Sequence, residues 1–433
     1  MSKIKKNVAK SSERLPLIKQ LPTNNLARRN EKNLAAELVA YQAVFAPLFT
    51  RSEQREWANL YMRGQLSDLG RKSIEPMVLQ ERGADPNAIR AVQQFISEGA
   101  WSDYAVLDRL QKMIGEDIGE DDGVMIVDMR GFPKKGDHSA GAAKQYCDQL
   151  GKIANCQQGV FVLYATRSGY TFVDRRLYMP EEWYDDAHAD LRNKCRVPKD
   201  FKFKVEPQLG LEMIESLVGR GTLPFRWVVA DERYGMNPAF LFGVAGLGKW
   251  YLVKVPETVM VQVGKPTTQP SCEEHLESPG GALHVESGLA TALEIGQIPV
   301  QLPESAWKRY KLKEGTKRAH VVEFAFLRAF RERGCLPGDD FWVVLRRSSR
   351  DLRGVEYYLS NAPIDVSHDE LVRASGLIQS VEGAIDESNS ELGMDHYETR
   401  TWLGWNHHMT MVCLTHYFLV RLRLKLKNYA VGA

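Results

Sequence analysis

The 433-residue sequence lacks several features that would place it in a familiar class of protein. Its six cysteines are scattered and form no C-x-x-C pair, which argues against a zinc ribbon or a disulfide framework and favours reduced thiols in a cytosolic protein. No hydrophobic run reaches the roughly 18 residues that a membrane-spanning helix needs. The first 32 residues are polar and basic, unlike a signal peptide. The net charge is only +2, so any surface that binds a polyanion must be local.

Common catalytic and ligand-binding patterns are also missing. No G-x-S-x-G elbow is present, which leaves serine nucleophilic catalysis without support. Residues 243–250 nearly match the phosphate-binding G-x-x-x-x-G-K-[ST] loop, but Trp250 replaces the hydroxyl residue and a strand is predicted where a helix is required. The acidic run 115–123 lacks the ligand spacing of an EF-hand and predicts a solvated turn.

Hydrophobic patterning divides the chain into five segments. Residues 1–32 hold nine Lys or Arg against two acids and predict a flexible basic tail, either solvated or in contact with DNA phosphates. Residues 33–114 repeat apolar side chains at helical spacing and predict a helical N-terminal domain, for DNA binding or for packing. Residues 115–255 and 364–433 predict the two parts of an α/β core, and residues 256–363 predict a β-rich insertion between them.

Within these segments the pattern predicts individual elements. The predicted core strands are residues 124–128, 159–166, 170–178, 227–231 and 250–255, with a hairpin at 167–169 and a helix at 209–219. The predicted strands of the insertion are residues 320–324, 340–346 and 355–359.

Two of the core strands end in a single aspartate, Asp128 and Asp231. A lone aspartate at a strand end is as often a cap or turn residue, but the first and fourth strands are neighbours in a ribonuclease-H-like sheet. The pair therefore predicts a divalent metal site. A third acid is expected on a helix after the insertion, where Glu382 lies. Helical spacing leaves three alternatives open: Glu387, Glu391 and Glu398.

The residues around these acids resemble a known family. Residues 128–136, with Asp128 and the run G-F-P-K-K-G, resemble the D-x-x-G-F-P-K-K-G signature of bacterial insertion-sequence DDE transposases of the 701 group, in the insertion-sequence-four-like superfamily. Residues 138–157 continue that signature. Residues 230–235 resemble the second catalytic block, and residues 393–402 resemble the block just downstream of the catalytic glutamate. The likeness extends over roughly residues 40–425.

The resemblance implies a fold and an activity. The fold is a ribonuclease-H-like catalytic core interrupted by the β-rich insertion, and the activity is cut-and-paste transposition. The family's spacing selects Glu382 over its alternatives. Asp128, Asp231 and Glu382 would then hold two Mg²⁺ ions roughly 3.5–4 Å apart, with Mn²⁺ as a substitute. The implied partners are the terminal inverted repeats, target DNA and a second copy of the chain, with no membrane, in the cytoplasm at the bacterial nucleoid.

Several residues are candidates for contact with nucleic acid. The superfamily grips DNA phosphates with a tyrosine, an arginine and a lysine around its glutamate, but Ser375, Ile378 and Asn389 stand there in this chain. The phosphate contacts are therefore expected from Lys134, Lys135, Lys152, Arg373 and Arg400. The adjacent His407 and His408 face different sides of a helix, which suits packing or DNA contact and not a bidentate metal site. Trp342, Tyr357 and Tyr358 either stack on an extruded base, as in relatives, or pack within a strand core.

Two other functions stay open at this point. A DNA-binding descendant that recognises transposon ends without cutting them would explain the missing phosphate grip, whereas the three retained acids argue against it. A stand-alone nuclease of the same fold would cut without preference for terminal repeats.

Overall fold

The computed structural model describes residues 25–263, 292–312, 320–333, 336–348, 354–378 and 380–431. They divide into two compact units, the first comprising Met1–Arg226 with Ser380–Ala433 and the second Trp227–Gln379. The insertion was predicted to begin at residue 256, but the second unit begins at Trp227. The reason is strand pairing, because β6 (Trp250–Val255) is hydrogen-bonded to β12 (Val355–Ser360) from the predicted insertion.

Helices open the first unit, as the apolar spacing predicted. They are α1 (Asn25–Phe45), α2 (Ser52–Gln65), α3 (Ile74–Arg82), α4 (Pro86–Glu98) and α5 (Asp103–Ile118). The Asp85 side chain caps α4 by accepting from the Asn87 and Ala88 amides, and Ser102 caps α5 in the same way. Helix α1 begins inside the segment predicted as a tail, and residues 1–24 of that segment lie outside the described residues.

The strands of the first unit form an antiparallel arrangement around one long strand. They are β1 (Val124–Pro133), β2 (Ala143–Cys147), β3 (Lys152–Ala165) and β4 (Tyr170–Tyr178). Strand β3 pairs with β1, with β2 near its start and with β4 across the predicted hairpin, where the Thr166 amide donates to the Gly169 carbonyl. Because β1 continues to Pro133, Asp128 lies in the middle of a strand, and the prediction that the strand ends there was wrong.

Helix α13 (Trp402–Val431) is the centre of packing in the first unit. Its residues 404–420 are buried, and it contacts α2, α4, α5, β4 and α12 (Ser380–Leu392). Polar contacts fix its position, since the Tyr41 hydroxyl donates to the Leu414 carbonyl and the Thr415 hydroxyl donates to the Gln65 amide oxygen. The other two helices of this unit within the described ranges are α6 (Ala189–Lys194) and α7 (Glu206–Arg220), and α7 confirms the helix predicted at 209–219.

The second unit is built on a mixed sheet. The parallel pair β5 (Trp227–Ala230) and β6 is followed by antiparallel pairing in the order β6, β12, β11, β10, with β7 and β9 both on β10 and β8 on β7. These further strands are β7 (Met260–Val263), β8 (Ala292–Glu294), β9 (Lys308–Leu312), β10 (His320–Arg333) and β11 (Leu336–Ser348). The three strands predicted within the insertion lie inside β10, β11 and β12. The chain is therefore a mixed α/β protein.

The helices of the second unit show the structure of the glycine-rich run 243–250. They are α8 (Glu232–Gly235), α9 (Pro238–Gly246), α10 (Ile298–Gln301) and α11 (His368–Leu377). Helix α9 ends within the glycine-rich run 243–250, and β6 follows, so this run has the wrong secondary structure for a phosphate-binding loop.

Four of the six cysteines lie in the described part of the chain. Cys147, Cys156, Cys195 and Cys413 are buried free thiols, while Cys272 and Cys335 lie outside the described residues. Across the described part of the chain, no helix is both long and apolar enough to cross a membrane.

Candidate functional site

Asp128 is half-buried in β1 of the first unit, opposite Phe161 of β3. One carboxylate oxygen, Oδ1, accepts a hydrogen bond of 2.8 Å from the Met129 amide. The other, Oδ2, lies 3.1 Å from Nη2 of Arg130. Side chains two residues apart on a strand share a face, so the strand itself brings this carboxylate and this guanidinium together.

Asp148 is the second partner of Arg130. It begins the short turn between β2 and β3, and its Oδ2 lies 2.9 Å from Nη1 of Arg130. Its Oδ1 accepts a 2.7 Å hydrogen bond from the Gly131 amide. A β-carbon at position 131 would meet that oxygen at 2.9 Å and the Cys147 sulfur at 3.1 Å. Glycine is therefore needed at this position of the motif for the turn to approach the strand.

Glu382 is exposed in the first turn of α12, also in the first unit. Its negative charge acts on Arg130 together with the charges of Asp128 and Asp148. Burial of the guanidinium works to lower the pKa of Arg130, but the three carboxylates outweigh it and the pKa is raised. Two of the three predicted catalytic acids thus lie near one cation, although they are far apart in the sequence.

Asp231 belongs to the second unit. It directly follows β5, as predicted, and caps α8 by accepting a 3.0 Å hydrogen bond from the Arg233 amide. The Arg233 Nε lies 3.4 Å from the other carboxylate oxygen, and the side chain is half-buried. Asp231 is therefore a helix cap, one of the two roles that the sequence left open. Its second carboxylate oxygen makes the longer contact with Arg233.

The three alternative glutamates have other contacts. Glu387 forms an ion pair with Arg423, and although burial works to raise the pKa of Glu387, that arginine lowers it. Glu398 forms an ion pair of 2.5 Å with Arg71. Glu391 is exposed, and its backbone carbonyl accepts a hydrogen bond from the buried Lys72 ammonium. Glu382 is the acid of this helix whose charge acts on Arg130.

Carboxylates are the type of ligand that a hard divalent cation prefers. Asp128 and Glu382 offer oxygen ligands, which Mg²⁺ prefers, and both lie near a positive charge. Within the described ranges, no group of three or more His, Cys, Asp or Glu side chains is arranged to hold a metal ion. Arg130 supplies the positive charge that these acids require.

A basic cleft of about 350 Å³ lies in the first unit and contains three of the predicted DNA contacts, Lys134, Lys135 and Arg400. We call it the lysine cleft. Its lining comprises Arg71, Pro133, Lys134, Lys135, Ser139 and residues 395–400. Of the other predicted contacts, Lys152 is exposed at the start of β3, and Arg373 is half-buried on α11 in the second unit.

The structure favours packing, not DNA contact, for His407 and His408. Both are fully buried, and burial lowers the pKa of each to about 4. The ring nitrogens of His407 face the Ile96 and Trp101 carbonyls at 2.9 and 3.2 Å. Those of His408 face the Tyr61 hydroxyl and the Met394 carbonyl. No ring nitrogen is left for a phosphate, so we remove both residues from the DNA-binding set.

The three aromatic residues of the predicted insertion are also packed. Trp342 is buried and donates from its ring nitrogen to the Pro363 carbonyl at 3.0 Å. Tyr357 and Tyr358 are buried on β12, and the Tyr358 hydroxyl donates to Glu356. Packing within the strands, the second possibility raised by the sequence, is what the structure shows.

Arg130, Asp148 and Arg71 were missed from the sequence. Arg130 could have been found, because it follows Asp128 at the two-residue spacing of one strand face. Asp148 and Arg71 carry no local signal, since each reaches the site only through tertiary contacts.

The sequence model of the DDE superfamily endonuclease family matches residues 44–319, more than half of the chain. The chain belongs to this family. The match includes Asp128 and Asp231 and ends before Glu382. No curated protein matches the chain. Members of the DDE superfamily act on DNA and generally use divalent metals, so the carboxylates around Arg130 lie in a nuclease or transposase framework.

Proposed function

We propose that this DDE endonuclease is a DNA transposase of the insertion-sequence 701 group. It cleaves DNA at insertion-sequence ends and transfers the freed strand into target DNA by a cut-and-paste route. One observation carries the proposal: in a member of the DDE family, Asp128 and Glu382 act on the same guanidinium from distant parts of the chain. A ribonuclease-H-like core with a β-rich insertion and a helical DNA-binding domain is the architecture that this activity implies.

In this proposal Asp128, Asp231 and Glu382 would hold two Mg²⁺ ions. When bound, such ions activate the attacking oxygen and stabilise the leaving oxygen of a phosphodiester. Arg130 is ion-paired with Asp128 and Asp148, so it would compete with a metal ion for Asp128. No covalent protein intermediate is required, because water and then the freed 3′-hydroxyl serve as nucleophiles.

The proposed DNA contacts come from basic side chains on both units. The proposed set is Lys134, Lys135, Lys152, Arg373 and Arg400. The terminal inverted repeats are the first DNA partner and target DNA the second. We propose that two copies of the chain act together at paired ends.

A cleavage assay tests the proposal. Asp128→Asn and Glu382→Gln should each lower cleavage of end-bearing DNA in Mg²⁺ by about a hundredfold or more, because several kcal/mol of charge stabilisation depend on these ligands. Binding to the same DNA should remain. The matched control is Asp386→Asn, an exposed acid one turn beyond Glu382 on α12, which should cut normally. Full cleavage by Asp128→Asn would remove Asp128 from catalysis.

A second candidate function is recognition of transposon ends without cutting. It is favoured by the ion pair between Arg130 and Asp128, by Ser375, Ile378 and Asn389 at the positions of the phosphate grip, and by the lack of a three-ligand group in the described ranges. Under this function the wild-type protein binds end-bearing DNA specifically but cleaves none in Mg²⁺ or Mn²⁺. The same assay therefore separates the two functions.

A further inference from the structure

The lysine cleft is built from three separate parts of the first unit. Arg71 precedes α3, residues 133–139 begin at the end of β1, and residues 395–400 precede α13. The Ala140 amide donates to the Arg400 carbonyl at 2.9 Å, which ties the second part to the third. The cleft is thus a defined concavity between chain segments and not a single exposed loop.

Lys134 lines this cleft and is held from several sides. Its ammonium nitrogen is 3.4 Å from the centre of the Tyr397 ring, within cation–π distance. Its backbone is fixed by Asn155, whose carbonyl accepts from the Lys134 amide and whose side chain donates to the Lys134 carbonyl. The Tyr397 hydroxyl donates to Gln157 at 2.9 Å, so the ring under the lysine is itself anchored.

The charge of the cleft is unbalanced. Four cations and two carboxylates line it, namely Arg71, Lys134, Lys135, Arg400, Asp395 and Glu398. Arg71 and Glu398 already form an ion pair. Within the described ranges, Lys134, Lys135 and Arg400 have no carboxylate within ion-pairing distance, so the cleft keeps positive charge without a direct partner.

The Lys134 ammonium is also partly desolvated. Burial lowers the pKa of Lys134 to about 8, while Asp395 and Glu398 act in the opposite direction. A desolvated ammonium with no ion-pair partner gains more from an incoming anion than a solvated surface lysine does. A hydroxyl is also available, because Thr399 Oγ1 is buried in the cleft wall and has no hydrogen-bond partner in the part of the chain that the structure describes.

We propose that the lysine cleft is a phosphate subsite, in which one phosphate group lies on Lys134 with Lys135 and Arg400 beside it. This inference rests on the proposed function, because bound DNA is the expected source of the phosphate. Beyond the proposed function, the inference specifies the cleft that holds the phosphate and Lys134 as the contact. Tyr397 and Asn155 hold Lys134 in place before the phosphate binds. Arg71 is a further cation of the cleft and is ion-paired with Glu398.

Equilibrium binding of duplex DNA to the full-length protein tests the subsite, with EDTA present so that cleavage has no influence. Lys134→Met should weaken binding about tenfold, the effect of losing one charge-assisted hydrogen bond. Lys134→Arg, which keeps the charge, should recover most of the affinity. Lys199→Met removes an exposed lysine outside the cleft and should change the affinity by less than about threefold. Equal affinity for wild type and Lys134→Met would overturn DNA as the source of the phosphate.

Acetylation of Lys134, followed by mass spectrometry of the wild-type protein, identifies the source of the phosphate and does not depend on a variant that folds. Protection of Lys134 by DNA, with Lys199 unprotected, supports a backbone phosphate. Protection by inorganic phosphate but not by DNA supports the subsite with a free phosphate as its ligand. Protection by neither overturns it. A protein that binds DNA through Lys134 yet never cuts would contradict only the proposed function.

Discussion

Arg130 is the residue on which the carboxylates of the first unit depend for charge balance. Its guanidinium contacts Asp128 and Asp148 directly and is influenced by Glu382. Three carboxylates near one another repel unless a cation lies among them, and arginine remains charged at any ordinary pH. Arg130 and a divalent ion are therefore expected to compete for Asp128.

Replacement of Arg130 tests that competition. Arg130→Gln should lower the free energy of unfolding in EDTA by about 1–3 kcal/mol, because a partly buried charge network loses its cation. Mg²⁺ or Mn²⁺ should then raise the melting temperature of the variant more than that of the wild type. Arg109→Gln, which removes an exposed ion pair with Glu116, is the control and should change little. Equal metal-induced shifts in Arg130→Gln and wild type would contradict the competition.

At the scale of single residues, the sequence selects candidates where chemistry and position coincide locally. Asp128, Asp231 and Glu382 were selected by strand pattern and family spacing, and their catalytic function stays a prediction. His407 and His408 show the limit, because burial against α2, α4 and the residues just after α12 cannot be predicted from two adjacent residues. Three of their four hydrogen-bond partners, Tyr61 among them, are more than 300 residues away along the chain.

Helix α13 carries the buried histidines His407, His408 and His416. The stability of the protein should therefore depend on pH in the acid range. The pKa of His416 is lowered to about 4, first by burial, with Arg423 in the same direction and Glu387 opposing. The unfolded state binds a proton near pH 6.5, so between about pH 6.5 and about 4 it holds more protons than the folded state. The stability contributed by neutral His416 is therefore complete above that range and is lost as the pH falls through it.

His416→Phe should flatten the acid dependence. Phenylalanine keeps the ring contacts with Tyr170 and Phe172 and removes a buried ring nitrogen that has no partner among the described residues. Urea unfolding followed from pH 7 to pH 4.5 should show a slope of unfolding free energy against pH that is lower by up to about 1.4 kcal/mol per pH unit. An unchanged slope would mean that His416 is not the proton-binding group.

Elements with strong periodicity were predicted correctly, whereas the short strands β2, β7, β8 and β9 were not predicted. Helices α1 to α5, strand β4 and helix α7 follow patterns of 3.6 or two residues that local sequence displays. Strand β2 mixes buried and exposed positions over five residues, and its pairing with β3 supplies the order that its own sequence lacks. Strand β1 was predicted too short because Arg130 interrupts its apolar run, although Asp128 and Asp148 pair with that charge.

At the scale of the whole molecule, the predicted acids are divided between the units. Asp128 and Glu382 belong to the first, and Asp231 belongs to the second. The proposed function requires all three to act on the same ions. Because the proposed ligands come from both units, metal affinity tests the proposal for the whole molecule.

Titration of the full-length protein with Mn²⁺, followed by electron paramagnetic resonance, makes that test. Asp128→Asn, Asp231→Asn and Glu382→Gln should each weaken Mn²⁺ binding about tenfold or more, because each removes an anionic ligand. Glu232→Gln changes the exposed neighbour of Asp231 and should bind as the wild type does. Wild-type affinity in Asp231→Asn would show that this aspartate serves only as the cap of α8.

The amino-acid sequence by itself determined the helices and strands with clear periodicity, the position of Asp231 after its strand and the family to which the chain belongs. These properties are local, because periodicity and motif spacing depend on neighbouring residues. Only the tertiary structure decided that Arg130 links Asp128 to Asp148, that Lys134 rests on Tyr397, and that the paired histidines are buried. Such contacts join residues that are distant along the chain, and distance in sequence leaves no pattern from which they could be predicted.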